Sequence, residues 1–140
     1  MLKKRIIPVL LLSGNRTVKG KNFKDYIVTG NPTSQVKIYS SQHTDEIIFI
    51  DIDASSKSRQ TLKDTIRIAS KESHMPFTAG GGIKKLDDIY EILAEGADKV
   101  IINTAAYYDR KLITDAVKTF GSQAIILGID YKLDKKDNKH

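Results

Sequence analysis

Five short apolar runs, four of them rich in isoleucine and valine, recur along this chain, and their spacing constrains the fold more than any other feature. They occupy residues 5–12, 46–52, 76–79, 99–102 and 124–129. Continuous apolar runs of this length are typical of strands that are buried on both faces, as in parallel sheets. The sequence therefore predicts five buried strands, separated by segments long enough to cross back over the sheet.

The segments between the runs carry helix signals. Asn31 followed by Pro32 is an N-cap with proline at the first helical position, which predicts a helix to about Ser41. Apolar residues at helical spacing predict three more helices, over 57–73, 86–94 and 110–120. Gly96 and Gly121 end the last two. Residues 13–30, which precede the first helix, are interpreted as a long loop that is either a functional lid or disordered.

Strand followed by helix four times, then one more strand, is just over half of an eight-fold βα barrel. The chain has 140 residues, whereas a closed barrel needs about 200–250. We therefore expect an α/β fold in which residues 1–130 form a parallel half-barrel and residues 131–140 a polar tail. The half-barrel is expected either to be part of a longer barrel or to pair with a second copy as a homodimer.

Composition excludes several function classes. The absence of cysteine rules out disulfides, thiolate metal sites and a cysteine nucleophile. Three scattered histidines form no zinc motif, so we expect neither metal nor cofactor. No apolar run reaches the ~18–20 residues of a membrane span, so a cytoplasmic protein is expected. The net charge of +6 is spread along the chain; it suits phosphorylated metabolites, and nucleic-acid binding ranks last.

In βα barrels the chemistry lies where strands end, and two such positions suit a phosphate. Gly80-Gly81-Gly82 follows the third run and would let backbone N–H groups approach an anion, with the next helix pointing its positive end there. Asn103 and Thr104 follow the fourth run and could donate to the same anion. A tight turn and an ordinary helix N-cap are the structural alternatives. Lys19 could reach a phosphate or simply be solvated.

Carboxylates at strand ends are candidates for acid–base chemistry. Asp130 ends the fifth run, and burial of a carboxylate there would be costly, which favours a functional role. Asp51 and Asp53 are two apart on one strand and are expected to share a face. At the opposite ends of the strands, Arg5, Glu46 and Lys99 are expected to meet. They would form either a stabilising ion-pair ring or a gate to the barrel axis.

Together these stretches resemble the cyclase subunit of imidazole glycerol phosphate synthase, a ribulose-phosphate-binding barrel of histidine biosynthesis. The resemblance covers the chain to residue 130 and corresponds to the amino-terminal half of the family's barrel. The stretches that carry it are KRIIPVLL at 4–11, VKGKNF at 18–23, DEIIFIDIDAS at 45–55, PFTAGGGI at 76–83, GADKVIINTAA at 96–106 and FGSQAIILGID at 120–130.

The resemblance implies a lyase that accepts ammonia from a glutaminase subunit docked at the amino-terminal face. The ammonia would pass along the barrel to a phosphorylated ribonucleotide substrate at the other end. The matched positions are the ammonia gate (Arg5, Glu46, Lys99), the glutaminase contact (Asp98), the substrate lysine (Lys19), the nearer phosphate site (Gly81, Gly82, Asn103, Thr104) and one catalytic aspartate (Asp130).

One departure concerns the family's other catalytic aspartate, because this sequence has Leu11 at that position. Leucine cannot transfer a proton. The pattern resembles a paralogous branch associated with amidation of aminosugars for surface polysaccharides, in which ammonia transfer would survive without cyclisation. Asp53 is a speculative substitute for the lost acid. A half-barrel without catalytic activity, binding only a phosphate and a partner, is the remaining alternative.

Overall fold

The computed structural model describes residues 3–21, 23–53, 56–72 and 74–131. Its strands are β1 (Val9–Ser13), β2 (Arg16–Lys21), β3 (Lys24–Gly30), β4 (Ile47–Asp51), β5 (Phe77–Gly80), β6 (Lys99–Ile102) and β7 (Ile125–Leu127). Its helices are α1 (Pro32–Ser41), α2 (Ser56–Glu72), α3 (Leu86–Ala94), α4 (Thr104–Tyr108) and α5 (Arg110–Phe120), with a 3₁₀ turn at Ser122–Ala124.

The seven strands form one sheet in the order β3-β2-β1-β4-β5-β6-β7. Strands β1, β4, β5, β6 and β7 are parallel neighbours, and these are the five strands predicted from the apolar runs. A helix crosses back between successive members of this parallel set. The predicted fold class, a parallel half-barrel of βα units, is therefore confirmed.

Alternation along each strand divides the side chains between two faces. In β4, Ile47 and Phe49 are fully buried, whereas Ile48 and Ile50 are only half-buried. The buried face packs against α2 and α3 in one apolar core, where Phe49 stacks on Phe77 with ring centroids 5.1 Å apart. The half-buried face is the concave side of the sheet, so every second residue of the parallel strands faces the barrel interior.

The predicted helix ends are largely confirmed. The Asn31 side chain accepts hydrogen bonds from the backbone of Thr33 and Ser34 at 2.9 and 3.3 Å and caps α1. Gly96 and Gly121 lie just beyond α3 and α5 with φ of 110° and 88°, which favours glycine. Helix α2 is one residue longer at its start than predicted, and the predicted end at residue 73 lies outside the described residues.

The interpretation of residues 13–30 as a long loop is wrong, because Ser13 ends β1, and β2 and β3 follow it as antiparallel strands of the same sheet. Ser13 pairs with Arg16 across a two-residue turn in which Gly14 has φ of 55°. Glycine first in such a turn is typical of a type II′ hairpin, whose twist matches that of the strands. Gly14 was therefore a sequence signal for the turn. The two strands after it were missed because their exposed polar residues obscure the alternation of apolar and polar side chains that is typical of strands.

Two further boundaries differ from prediction. The first strand begins at Val9 and not at residue 5, so Arg5 lies in the segment leading into the sheet. Helix α4 was not predicted, and it starts directly after β6. Of the predicted polar tail, residues 132–140 lie outside the described part of the chain. No helix within the described ranges is long and apolar enough to cross a membrane.

Candidate functional site

A buried carboxylate occupies the amino-terminal edge of the parallel strands. Glu46 immediately precedes β4 and is 1% exposed. Its Oε2 lies 2.7 Å from Lys99 Nζ and 3.4 Å from Arg5 Nη1. Its Oε1 accepts a hydrogen bond of 2.6 Å from the Thr78 hydroxyl. Arg5, Glu46 and Lys99 therefore meet as predicted, with Thr78 as a fourth member that sequence reasoning missed.

The partners decide the charge of Glu46. Burial alone would raise the pKa of its carboxyl. Hydrogen bonds from Lys99 and Thr78, together with the positive charges of Lys99 and Arg5, outweigh burial and lower the pKa from its ordinary value of 4.5. Glu46 is therefore ionised at neutral pH, with a cation on one oxygen and a hydroxyl on the other. A buried carboxylate is stable in a fold only when both of its oxygens have such partners.

Asp98 lies at the same edge, one residue before β6. Its Oδ2 accepts a hydrogen bond of 2.7 Å from the Phe77 backbone N–H. Its own backbone N–H donates to the Phe77 carbonyl at 2.9 Å. Asp98 is exposed on its outer side. The carboxylate thus closes the junction between β5 and β6 at the amino-terminal edge.

The triple glycine at the opposite edge has a structural cause. A Cβ on Gly80 would overlap the Ile101 carbonyl of the neighbouring strand, and one on Gly81 would overlap the Asp51 backbone. Gly81 and Gly82 also have φ of 110° and 61°. Strand approach and backbone conformation therefore account for glycine at these positions. The run of three is weaker evidence for a phosphate than the sequence suggested.

An aspartate of α3 binds the backbone just before the helix. The backbone N–H groups of Lys84 and Lys85 both donate to Asp88 Oδ2, at 2.7 and 3.1 Å. Both residues precede α3, which begins at Leu86, and the Asp88 N–H donates to the Lys85 carbonyl at 3.1 Å. Two of the amides that follow the triple glycine are thus taken by the Asp88 carboxylate and are not free to bind an anion.

Asn103 and Asp130 come together at this carboxyl edge. Asn103 follows β6, and its Nδ2 donates to Asp130 Oδ2 at 2.6 Å. Because the side chain is turned to Asp130, it does not cap α4. Both residues are exposed, so the premise that Asp130 is a buried carboxylate is wrong. The hydrogen bond nevertheless links the predicted phosphate residue to the predicted catalytic residue.

The expectation that Asp51 and Asp53 share one face is also wrong. Asp51 is 2% exposed and lies on the helix-facing side of β4, with Phe49. Asp53 lies beyond the strand, is exposed, and accepts a hydrogen bond of 2.7 Å from the Gly14 backbone N–H. The chain leaves strand geometry after Asp51, so the period of two no longer applies.

Leu11 and Lys19 lie apart from these clusters. Leu11 is half-buried in β1, where it pairs with Ile50 of β4 and Val18 of β2. No proton-transfer group is present at that position. Lys19 is exposed on β2 and pairs with Ile27 across the hairpin. Within the described ranges, no group of three or more His, Asp or Glu could hold a metal ion.

Comparisons with known proteins agree with this architecture. Residues 5–138 match the family model described as "Histidine biosynthesis protein". The chain belongs to this family. Imidazole glycerol phosphate synthase subunit HisF of Hydrogenobaculum sp. is 45% identical over 140 residues, which is all of this chain and 56% of that protein. The same subunit of Bacillus subtilis is 42% identical over the same shares.

A third relative with the same name shows a similar degree of identity. The HisF subunit of Flavobacterium johnsoniae is 44% identical over 132 residues, covering 94% of this chain and 53% of that protein. The chain spans about half the length of the curated relatives it matches. The similarity to the synthase subunit that the sequence motifs indicated is therefore confirmed.

The ionised state of Glu46 predicts a pH-dependent cost for its removal. Because the folded-state pKa is lowered, the stabilisation is fully present above about pH 4.5 and is lost as the pH falls through the folded pKa. At pH 7 we expect Glu46→Gln to lower the free energy of unfolding by about 1.5–3 kcal/mol. Urea unfolding at a series of pH values should show this difference shrinking below pH 4.5.

Glu91→Gln is the matched control, since Glu91 forms a surface ion pair with Lys63 at 2.8 Å and is half exposed. That variant should lose less than about 1 kcal/mol. A difference between wild type and Glu46→Gln that stays constant from pH 7 to pH 3 would contradict the assigned charge of Glu46.

Proposed function

We propose that this chain provides the ammonia-admitting half of a cyclase-type subunit of imidazole glycerol phosphate synthase, in which a partner glutaminase supplies the ammonia. Ammonia enters at the edge of the sheet occupied by Glu46. A phosphorylated ribonucleotide substrate is held at the opposite edge, near Asn103 and Asp130. The observation that carries this proposal is the Glu46 cluster, a buried charge placed across the interior face of the half-barrel.

The cluster has the properties that a gate needs. Glu46 cannot leave, because it is buried and held by Thr78 on one oxygen and Lys99 on the other. Arg5 is 59% exposed at 3.4 Å, whereas Lys99 is 26% exposed at 2.7 Å. Since an exposed ion pair is worth little, Arg5 is the side chain that moves aside most easily. When Arg5 moves aside, Glu46 stays paired with Lys99. The carboxylate therefore remains charged while a small neutral molecule passes.

The opposite edge supplies donors for a phosphate. Gly81 and Gly82 bring backbone to the surface without side chains, and Asn103 and Thr104 follow the adjacent strand. The Asn103–Asp130 hydrogen bond places a carboxylate beside this group. In the proposal Asp130 is the acid–base residue, and Lys19, on the hairpin, is a second contact to the substrate.

The relatives support the histidine-pathway assignment, because all three described above carry the name of the synthase subunit. The term "subunit" in that name also supports a partner, which the proposal identifies as the glutaminase. The partner surface is the edge that contains Asp98 and the Glu46 cluster.

The proposal predicts that a glutaminase subunit of such a synthase binds this chain and hydrolyses glutamine faster in its presence. Replacing Arg5 and Lys99 with methionine should reduce binding by about tenfold or more, because complementary charges at an interface steer association and fix its register. Titration calorimetry measures the affinity, and glutamate release measures the stimulation. Lys85→Met is the control, since Lys85 is an exposed cation at the start of α3. Wild-type affinity in the double variant would contradict the proposal.

A second candidate function is favoured by Leu11. With an apolar side chain at this position of β1, ammonia could still be admitted and delivered, but the second proton-transfer group of the cyclisation is missing. The chain would then deliver ammonia to a different acceptor, and amidation of an aminosugar is the reaction of this class that the sequence motifs suggest. The two functions share the Glu46 gate and differ at the carboxyl edge.

Restoring the carboxylate separates these candidates. In a full-length barrel carrying this sequence as its first five units, Leu11→Asp should raise ammonia-dependent cyclase turnover by about 10²-fold or more from a low base. Leu11→Asn is the control, because it adds polarity without an acid. Wild-type turnover already equal to that of Leu11→Asp would show that Leu11 does not limit the reaction and would remove the second candidate.

A further inference from the structure

The Asp53 carboxylate reaches from the end of β4 to the turn between β1 and β2. Its Oδ2 accepts a hydrogen bond of 2.7 Å from the Gly14 backbone N–H. The Ser13 hydroxyl lies 3.2 and 3.1 Å from the two carboxylate oxygens. A charged acceptor therefore holds both residues, and bonds of this type are roughly twice as strong as neutral ones.

Asp53 is itself held by the sheet. Its backbone N–H donates to Asp51 Oδ1 at 3.0 Å, and Asp51 is 2% exposed. The intervening Ile52 donates its backbone N–H to the Leu12 carbonyl at 3.0 Å. The carboxylate thus projects from a base that is part of the β1–β4 ladder, and it contacts Ser13 at the end of β1 and Gly14, the first residue after β1.

The hairpin arm, residues 14–30, begins at Gly14, and its described residues join the sheet through β2. Its inner strand β2 pairs with β1 and buries Thr17 and Val18. Its outer strand β3 lies at the edge of the sheet, and Ile27 is 71% exposed there. Elements with little buried apolar surface open at low free energy. In a type II′ turn, the backbone N–H of the first of the two turn residues makes no hydrogen bond between the strands. Here that residue is Gly14, and its N–H donates to the Asp53 carboxylate.

We infer that Asp53 acts as a latch that holds the hairpin arm, through Gly14, to the carboxyl edge of the parallel strands. The latch explains why Asp53 diverges from Asp51 and why its carboxylate is directed at β1. It also assigns a role to Asp53 other than that of a substitute acid for Leu11. The inference does not rest on the proposed function, since it concerns only contacts within the chain.

Hydrogen–deuterium exchange of the intact chain tests the latch. Asp53→Asn removes the negative charge and leaves one acceptor oxygen for the two donors, Ser13 and Gly14. Exchange in peptides covering β2 and β3 should become about tenfold faster, while peptides covering β4, β5 and β6 should be unchanged. Asp53→Glu keeps two acceptor oxygens on a longer side chain and should restore most of the protection. Asp87→Asn on α3 is the charge-matched control and should leave the arm at the wild-type rate.

Ser13→Ala gives a second, milder route in case Asp53→Asn folds poorly. It removes only the hydroxyl donor, so exchange in the arm should rise by a few-fold. In the double variant the two effects should not multiply, because both changes break the same contact. Arm exchange that stays at the wild-type rate in Asp53→Asn, or effects that multiply fully in the double variant, would overturn the inference.

Discussion

The burial of one charged side chain, Glu46, constrains the rest of this structure. A carboxylate at that depth is stable only with cations and donors in fixed positions, and the chain provides them from neighbouring strands. Thr78 comes from β5 and Lys99 from β6, and their residue positions set the stagger of these strands. Thr78 and Lys99 are register partners of β5 and β6, and both contact Glu46, so the ion cluster and the register of these strands depend on each other.

Parallel strands with alternating side chains then separate two chemical environments. One face supplies the apolar core, whereas the concave face carries the Glu46 cluster at one end and leads to Asn103 and Asp130 at the other. Close strand approach at the carboxyl edge excludes side chains at Gly80 and Gly81. Glycine at these positions also means that no side chain separates the backbone there from an approaching anion.

The sequence predicted the parts of the fold that depend on local pattern. Apolar runs located all five parallel strands, and Asn31, Gly96 and Gly121 marked helix ends correctly. The meeting of Arg5, Glu46 and Lys99 was also predictable, because the amino ends of parallel strands lie together. The hairpin was missed because its outer strand is solvated, and an exposed edge strand has no buried face to impose alternation on the sequence.

Other features could not be predicted from the spacing of residues along the sequence. The exposure of Asp130 and the divergence of Asp53 depend on how the chain turns after each strand ends. Thr78 is a small polar residue within an apolar strand, so a buried hydrogen bond is expected there. The sequence does not indicate that its partner is Glu46. The glycines at 80 and 81 were interpreted as a ligand signal, whereas contacts between strands already require them.

The central claim is that the two edges of one sheet bind different partners. Amide chemical-shift mapping tests it most directly, with inorganic phosphate and a glutaminase subunit titrated separately into the labelled chain. Phosphate is expected to shift the amide signals of Gly81, Gly82, Asn103 and Thr104, and the glutaminase those of Asp98, Lys99 and the segment around Arg5. Phosphate shifts confined to the Glu46 edge, or a glutaminase footprint centred on Asn103, would contradict it.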